Sequence, residues 1–202
     1  MRHVILTGEI GIGKSTVFAG VLRMLGVQAE GIQTGAYEPR EAKEKTLYMR
    51  AYGDEAMGCP FAKVPGGDRS YAARCFDAVG VDLLRRARNR GELVVVDEMG
   101  WMERDAERYH QELRETLDGD VPVLAVLRQS RSEWADWIRS RQDVVLLSVT
   151  MQNRDRLPEQ AAGILLPQIK RKEERGFSLD EPVCYALHEH EKDIEMPFDV
   201  LK

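Results

Sequence analysis

Short apolar runs alternate with stretches of helical periodicity over the first 150 residues of the chain. Residues 93–96 contain no polar side chain, which is typical of a strand covered on both faces of a parallel sheet. Other strands are predicted at 3–7, 27–37, 46–52, 121–127 and 144–149. Helices are predicted around 17–25, 76–87, 102–117 and 134–138. This alternation predicts a three-layer α/β fold with a mainly parallel central sheet.

Three stretches depart from the alternation. Residues 46–52 alternate in places and end at Gly53-Asp54, which predicts a β-hairpin inserted after the second strand. Residues 58–68 contain two prolines and two further glycines, and are predicted to form a loop. The pattern weakens after residue 150. We therefore expect one domain over residues 1–160, with residues 161–202 as a C-terminal extension packed on it.

Composition and charge narrow the classes of protein. With 43% hydrophobic residues among 202, the chain is large enough to build a full core without metals or disulfides. It has 29 basic and 34 acidic residues, a formal net charge of −5, and both signs are scattered along it. Nucleic-acid binders typically carry a basic excess, so a nucleic-acid partner is not expected.

The cysteines and the longest apolar runs predict the compartment. Cys59, Cys75 and Cys184 are widely spaced and odd in number, which argues against a disulfide framework and fits a reducing cytoplasm. No apolar run approaches the ~20 residues of a membrane helix, and the first residues lack a signal-peptide core. A cytoplasmic protein without a membrane partner is expected.

The first candidate site follows the first predicted strand. The segment satisfies the phosphate-binding pattern G-x-x-x-x-G-K-[ST] between a strand and a helix. Glycines let a loop wrap a phosphate closely, and the helix N-terminus adds the positive end of its dipole. Lys14 is predicted to reach the β- and γ-phosphates of a nucleotide, and Ser15 to ligate Mg²⁺. The predicted nucleotide-binding residues of this loop are Gly8, Glu9, Ile10, Gly11, Ile12, Gly13, Lys14, Ser15 and Thr16.

The second candidate site ends the apolar strand at residues 93–96. Asp97 and Glu98 follow directly, as in the Walker B pattern, at the strand end where doubly wound sheets bind ligands. Asp97 is predicted to hold Mg²⁺, and Glu98 to act as the general base that orients and deprotonates water. An acidic pair of this kind favours hydrolysis over phosphoryl transfer to a second substrate.

Four segments together resemble the cancer-related nucleoside-triphosphatases, which occur in archaea, bacteria and humans. They are residues 8–16, 31–34, 94–103 and 149–158, and the resemblance covers about residues 1–160. It implies a P-loop fold and Mg²⁺-dependent hydrolysis of several nucleoside triphosphates to diphosphates, with loose base selectivity. It also implies that Gly13 to Thr16 contact the phosphates and metal, and that Asp97 and Glu98 contact metal and water.

Residues after the last predicted strand are candidates for contact with the base or a phosphate. Asn153 can hydrogen-bond a base edge, and Arg154 can stack on a ring or reach a phosphate. Alternatively, Asn153 and Asp155 only shape a turn before Leu157-Pro158.

Arginines around the strand at 121–127 and the following helix have two interpretations. One of them could neutralise charge in the transition state, or all could be solvated helix residues. They are Arg128, Arg131, Arg139 and Arg141.

The motifs predict a nucleoside-triphosphatase whose catalytic residues are Glu98 and Lys14. The first alternative is a small-molecule kinase on the same fold, in which Asp97 or Glu98 activates a substrate hydroxyl. The second is a nucleotide-dependent switch that acts on a partner protein, an idea motivated by the C-terminal extension at 161–202.

Overall fold

A computed structural model describes residues 2–39, 41–54, 58–66, 68–129 and 132–169. The strands in these ranges are β1 (His3–Thr7), β2 (Ala29–Ala36), β3 (Lys45–Ala51), β4 (Cys59–Val64), β5 (Leu93–Met99), β6 (Val123–Leu127) and β7 (Val144–Ser148). The helices are α1 (Lys14–Leu25), α2 (Arg69–Cys75), α3 (Val81–Arg90), α4 (Glu107–Asp118), α5 (Glu133–Ser140) and α6 (Leu157–Leu165). A π-helical turn at Phe76–Gly80 joins α2 to α3, and a 3₁₀ turn at Leu166–Gln168 follows α6.

Within the described residues, the strands form one sheet in the order β4-β3-β2-β5-β6-β1-β7. The strands from β2 to β7 in that order are parallel, whereas β3 pairs antiparallel with both β2 and β4. The structure confirms the predicted α/β fold with a mainly parallel sheet and a hairpin insertion.

Helices cover both faces of the sheet, because its central strands are apolar on both sides. Val4 and Leu6 of β1 belong to the core beneath α1 and α6, whereas Ile5 belongs to the core beneath the helices from α2 to α5. The apolar residues of β5 divide in the same way, with Val95 on the first face and Val94 and Val96 on the second. This alternate burial explains why no polar residue interrupts 93–96.

The structure corrects two predicted elements. The loop predicted at 58–68 contains β4, and Pro60 is tolerated there because an edge strand does not need its N–H for a second neighbour. The helix predicted from residue 102 begins only at Glu107, because residues 101–105 form turns after β5.

Parts of the predicted tail lie outside the described residues. The boundary predicted at residue 160 falls inside α6, which packs against α1. Residues 170–202, including Cys184, are not among the described ranges. Cys59 and Cys75, the cysteines among the described residues, form no disulfide with each other. No described helix has the length and apolar character that a membrane span requires.

Candidate active site

The loop between β1 and α1 is held in shape by glycines at its two ends. Gly8 has φ +150°, and a Cβ atom there would lie 2.8 Å from the carbonyl oxygen of Val149. Gly13, which precedes α1, has φ +106° and so occupies a region that favours glycine. These conformations allow the loop to turn back over the first turn of α1, where unpaired backbone N–H groups attract an anion.

Lys14 is buried against the inside of this loop. Its ammonium group donates hydrogen bonds to the carbonyl oxygens of Gly8 and Glu9, each at 2.9 Å. The loop residues Glu9, Ile10 and Gly11, and the hydroxyl-bearing Ser15 and Thr16, are exposed. The loop therefore has one fixed cation within it and exposed polar groups at the start of α1.

A bulge displaces Asp97 and Glu98 from the ladder between β5 and β6. Val96 pairs with Ala125 and Met99 with Leu127, so two residues of β5 lie opposite one residue of β6. Bulges of this kind redirect side chains and are frequent beside active sites.

Thr34 of β2 satisfies the backbone groups that this bulge leaves free. Its hydroxyl donates to the carbonyl oxygen of Asp97 and accepts from the N–H of Glu98, both at 3.3 Å. The residues alone did not predict this role, although Thr34 ends one of the four matched segments.

Asp97 lies where a cation would be stabilised. Burial, and to a smaller extent the neighbouring Glu98 carboxylate, raise the pKa of Asp97 to about 6, while the ammonium group of Lys14 opposes the shift. The charge of Lys14, at the start of α1, therefore acts on the carboxylate of Asp97, near the end of β5. The half-buried carboxylate of Asp97 and the exposed hydroxyl of Ser15 supply the oxygen ligands that Mg²⁺ prefers. Described residues include no cluster of three or more side chains able to hold a metal alone. Magnesium sites that share their ion with substrate phosphates need few protein ligands, so the donor set fits this ion.

The side chain of Glu98 reaches the end of β6. Its Oε1 atom accepts a hydrogen bond from Nε of Arg128, and 23% of its side chain is exposed. A cavity of about 360 Å³ opens beside this pair, lined in part by Thr34, Phe61, Phe76, Trp101 and Glu103. Solvent can therefore reach the carboxylate of Glu98.

Glu103 orders the turns that follow β5. It is 2% exposed, and its Oε1 accepts a hydrogen bond from the N–H of Gly100. Burial raises the pKa of Glu103 to about 7. The apolar pattern predicted a helix here and gave no sign of a buried carboxyl group.

The two candidate base-binding residues have different surroundings. The side-chain amide of Asn153 accepts from the N–H of Thr150 at 2.8 Å and donates to the carbonyl oxygen of Ser148 at 2.9 Å. This geometry matches the alternative in which Asn153 shapes a turn. Arg154 lies over the loop, because its Cδ atom is 3.7 Å from the position of a Cβ at Gly13. Contact of either side chain with a nucleotide stays a prediction.

Comparison with known proteins decides the family. The profile described as NTPase matches residues 3–162 of the chain. The chain belongs to this NTPase family. The match confirms the resemblance predicted from the four motifs, and the protein is accordingly an enzyme of the nucleoside-triphosphatase type.

This NTPase is similar to several named proteins. It is 34% identical over 175 residues to nucleoside-triphosphatase THEP1 of Thermofilum pendens, covering 80% of this chain and 93% of that protein. The crystal structure of THEP1 from Aquifex aeolicus aligns with a TM-score of 0.64 at 25% identity, covering 82% of this NTPase and 99% of that chain. The solution structure of a human cancer-related nucleoside triphosphatase aligns with a TM-score of 0.63 at 24% identity, covering 84% and 100% of the two chains. The similarity to the human protein shows that the two chains share a fold.

Proposed function

We propose that this NTPase hydrolyses nucleoside 5′-triphosphates to diphosphates and phosphate, with Mg²⁺ and with loose selectivity for the base. The observation that carries the proposal is that Lys14, held inside the loop, acts electrostatically on the carboxylate of Asp97. Glu98 is next in the chain, and its side chain is 23% exposed. A phosphate-binding loop, a metal-binding carboxylate and a second carboxylate for water are the groups that this hydrolysis requires.

Each group has a separate part in the proposed mechanism. Ser15 and Asp97 would hold Mg²⁺, which would supply positive charge to the phosphates when bound. The loop amides and the ammonium group of Lys14 bind those phosphates and stabilise the charge that develops in the transition state. Glu98 orients water in line with the γ-phosphorus and accepts its proton.

The surroundings of Asn153 support loose base selectivity. Its amide oxygen and nitrogen each bond to the backbone of its own turn, so one of its two lone pairs and one of its two N–H groups are not available to a base edge. Arg154 is the other candidate, and a guanidinium group can stack on a ring or contact a phosphate without distinguishing the bases.

Three further expectations belong to the proposal. Residues 1–160 form the nucleotide-hydrolysing domain, and residues 161–202 pack on it as an extension. The odd number and wide spacing of Cys59, Cys75 and Cys184 favour a cytoplasmic location. The net charge of −5 argues against a nucleic-acid partner.

The kinase alternative has one observation in its favour. A water molecule occupies about 30 Å³ of liquid, whereas the cavity beside Glu98 measures about 360 Å³ and could admit an acceptor alcohol. A burst of nucleoside diphosphate that requires an added acceptor would support this alternative over hydrolysis.

A phosphate-release assay across ATP, GTP, CTP and UTP tests the proposal. We expect one phosphate per triphosphate, rates within about tenfold of one another because base contacts are few, and loss of release when EDTA removes Mg²⁺. Asp97→Asn should abolish Mg²⁺-dependent release, whereas Asp120→Asn, a change at an exposed carboxylate on another surface, should not. Release that persists in EDTA, or that favours one base by about a hundredfold or more, would contradict it.

A further inference from the structure

The arginines that follow β6 have different partners in the structure. Arg139 pairs with Asp136 on its own helix at 2.8 Å. Arg141 pairs with Asp118 at 2.8 Å and Asp143 at 2.6 Å, and it lies over the ring of Trp137. Arg131 is not among the described residues. Arg128 differs from Arg139 and Arg141, because its partner is the proposed general base.

Sheet order brings Arg128 to Glu98. Arg128 is the first residue after β6, and β6 lies between β1, which leads into the loop, and β5, which ends in the carboxylates. The N–H of Arg128 donates to the carbonyl oxygen of Met99 at 2.8 Å, which fixes where its side chain starts.

Gly100 gives the arginine room to lie along the end of β5. A Cβ atom at this position would be 3.1 Å from Cδ of Arg128, closer than ordinary van der Waals contact. The guanidinium group also lies near buried Glu103 and opposes the rise in the pKa of that carboxyl group. Arg128 is thus placed between two carboxylates and bonded to one of them.

The ion pair between Arg128 and Glu98 contributes little to the free energy of unfolding. The Arg128 side chain is 46% exposed, and pairs exposed to this degree contribute about 0–1 kcal/mol at most. What the contact does fix is geometry. The guanidinium bond holds Oε1 of Glu98, which leaves Oε2 as the oxygen that can accept a proton from water.

We infer that Arg128 is a positioning residue of the hydrolysis, holding Glu98 so that Oε2 faces the attacking water. The inference rests on the proposed function. In that step a bond forms between the water oxygen and the γ-phosphorus, and the bond from the γ-phosphorus to the bridging oxygen breaks. The bridging oxygen leaves with the nucleoside diphosphate, and the water proton passes to Glu98.

Kinetics of Arg128→Gln in the full-length chain test the inference. We expect kcat to fall by about 10- to 100-fold with KM within about threefold of wild type, since a misplaced catalytic group costs rate rather than substrate binding. Arg139→Gln removes an arginine of the neighbouring helix and should change neither constant. Added guanidinium ion should partly restore kcat in Arg128→Ala, and should leave Arg139→Ala unaffected.

A double-mutant cycle distinguishes positioning from a general structural effect. If Arg128 acts through Glu98, Arg128→Gln should cost less than about twofold in single-turnover rate when Glu98→Gln is already present. An equal loss in both backgrounds, a rise in KM alone, or failure of guanidinium to rescue would each overturn the inference. An inactive wild-type protein would instead refute the proposed function. An active wild type with an equally active Arg128→Gln would refute only the role of Arg128.

Discussion

The loop after β1 and the carboxylate edge, formed by Asp97 and Glu98 at the end of β5 and by Glu103 in the turns that follow, hold their functional groups by different means. In the loop, backbone conformations that favour glycine, at Gly8 and Gly13, create the curve that encloses Lys14. At the carboxylate edge, two side chains from either side of β5 do the holding: Thr34 of β2 bonds the backbone at the bulge, and Arg128, which follows β6, bonds Glu98. The loop is therefore a local structure, and the edge depends on the assembled sheet.

The largest expected effect of breaking the local structure is at Gly8. In Gly8→Ala the new Cβ would meet the backbone oxygen of Val149 at 2.8 Å while φ stays strained, so we expect a loss of about 3 kcal/mol in unfolding free energy. Nucleotide binding should fail with it. Gly35→Ala is the control, because no atom lies within 4 Å of its Cβ position, and it should change stability by less than about 0.5 kcal/mol. Urea unfolding measures both variants, and equal losses would show that the glycine conformation does not hold the loop.

A smaller, pH-dependent effect is expected at Glu103 on the carboxylate edge. Burial raises the pKa of Glu103 to about 7, so the folded protein binds this proton more tightly than the unfolded chain does. Its contribution to the unfolding free energy is full below the unfolded pKa near 4.5, and falls by about 1–3 kcal/mol as pH rises through about 7. Glu103→Gln removes the titrating group, so the variant should gain stability relative to wild type between pH 5 and pH 8.

Urea unfolding at the two pH values measures that gain. Glu115→Gln removes an exposed carboxylate from α4 and should show the wild-type pH dependence. If wild type and Glu103→Gln differed in unfolding free energy by the same amount at pH 5 and pH 8, Glu103 would not be a buried group that resists ionisation.

The same contrast explains what the sequence could predict. The loop was predictable because its residues are contiguous in the chain. Glycines at three positions, followed by Lys14 and Ser15, form a pattern typical of a backbone that wraps around a phosphate. The layered fold was predictable for a related reason, since the apolar runs of β1, β5 and β6 are buried on both faces and carry no polar interruption.

The contacts of the carboxylate edge could not be read in that way. Glu98 and Arg128 are 30 residues apart, and they meet only because β5 and β6 are neighbours in a sheet whose order periodicity does not determine. Thr34 reaches the bulge for the same reason, through the pairing of β2 with β5. Edge strand β4 was missed because Pro60 is a turn signal by itself, and only its place at the border of the sheet makes it tolerable.

The most direct test of the account is to measure nucleotide affinity and turnover together in Lys14→Ala and Glu98→Gln. Because Lys14 binds the phosphates in the proposed mechanism, Lys14→Ala should weaken nucleotide binding and abolish turnover. Glu98 acts only on water, so Glu98→Gln should bind nucleotide with wild-type affinity while turnover falls by about 10²- to 10⁴-fold. Phosphate release by Glu98→Gln at the wild-type rate would contradict the assignment of Glu98 as the general base.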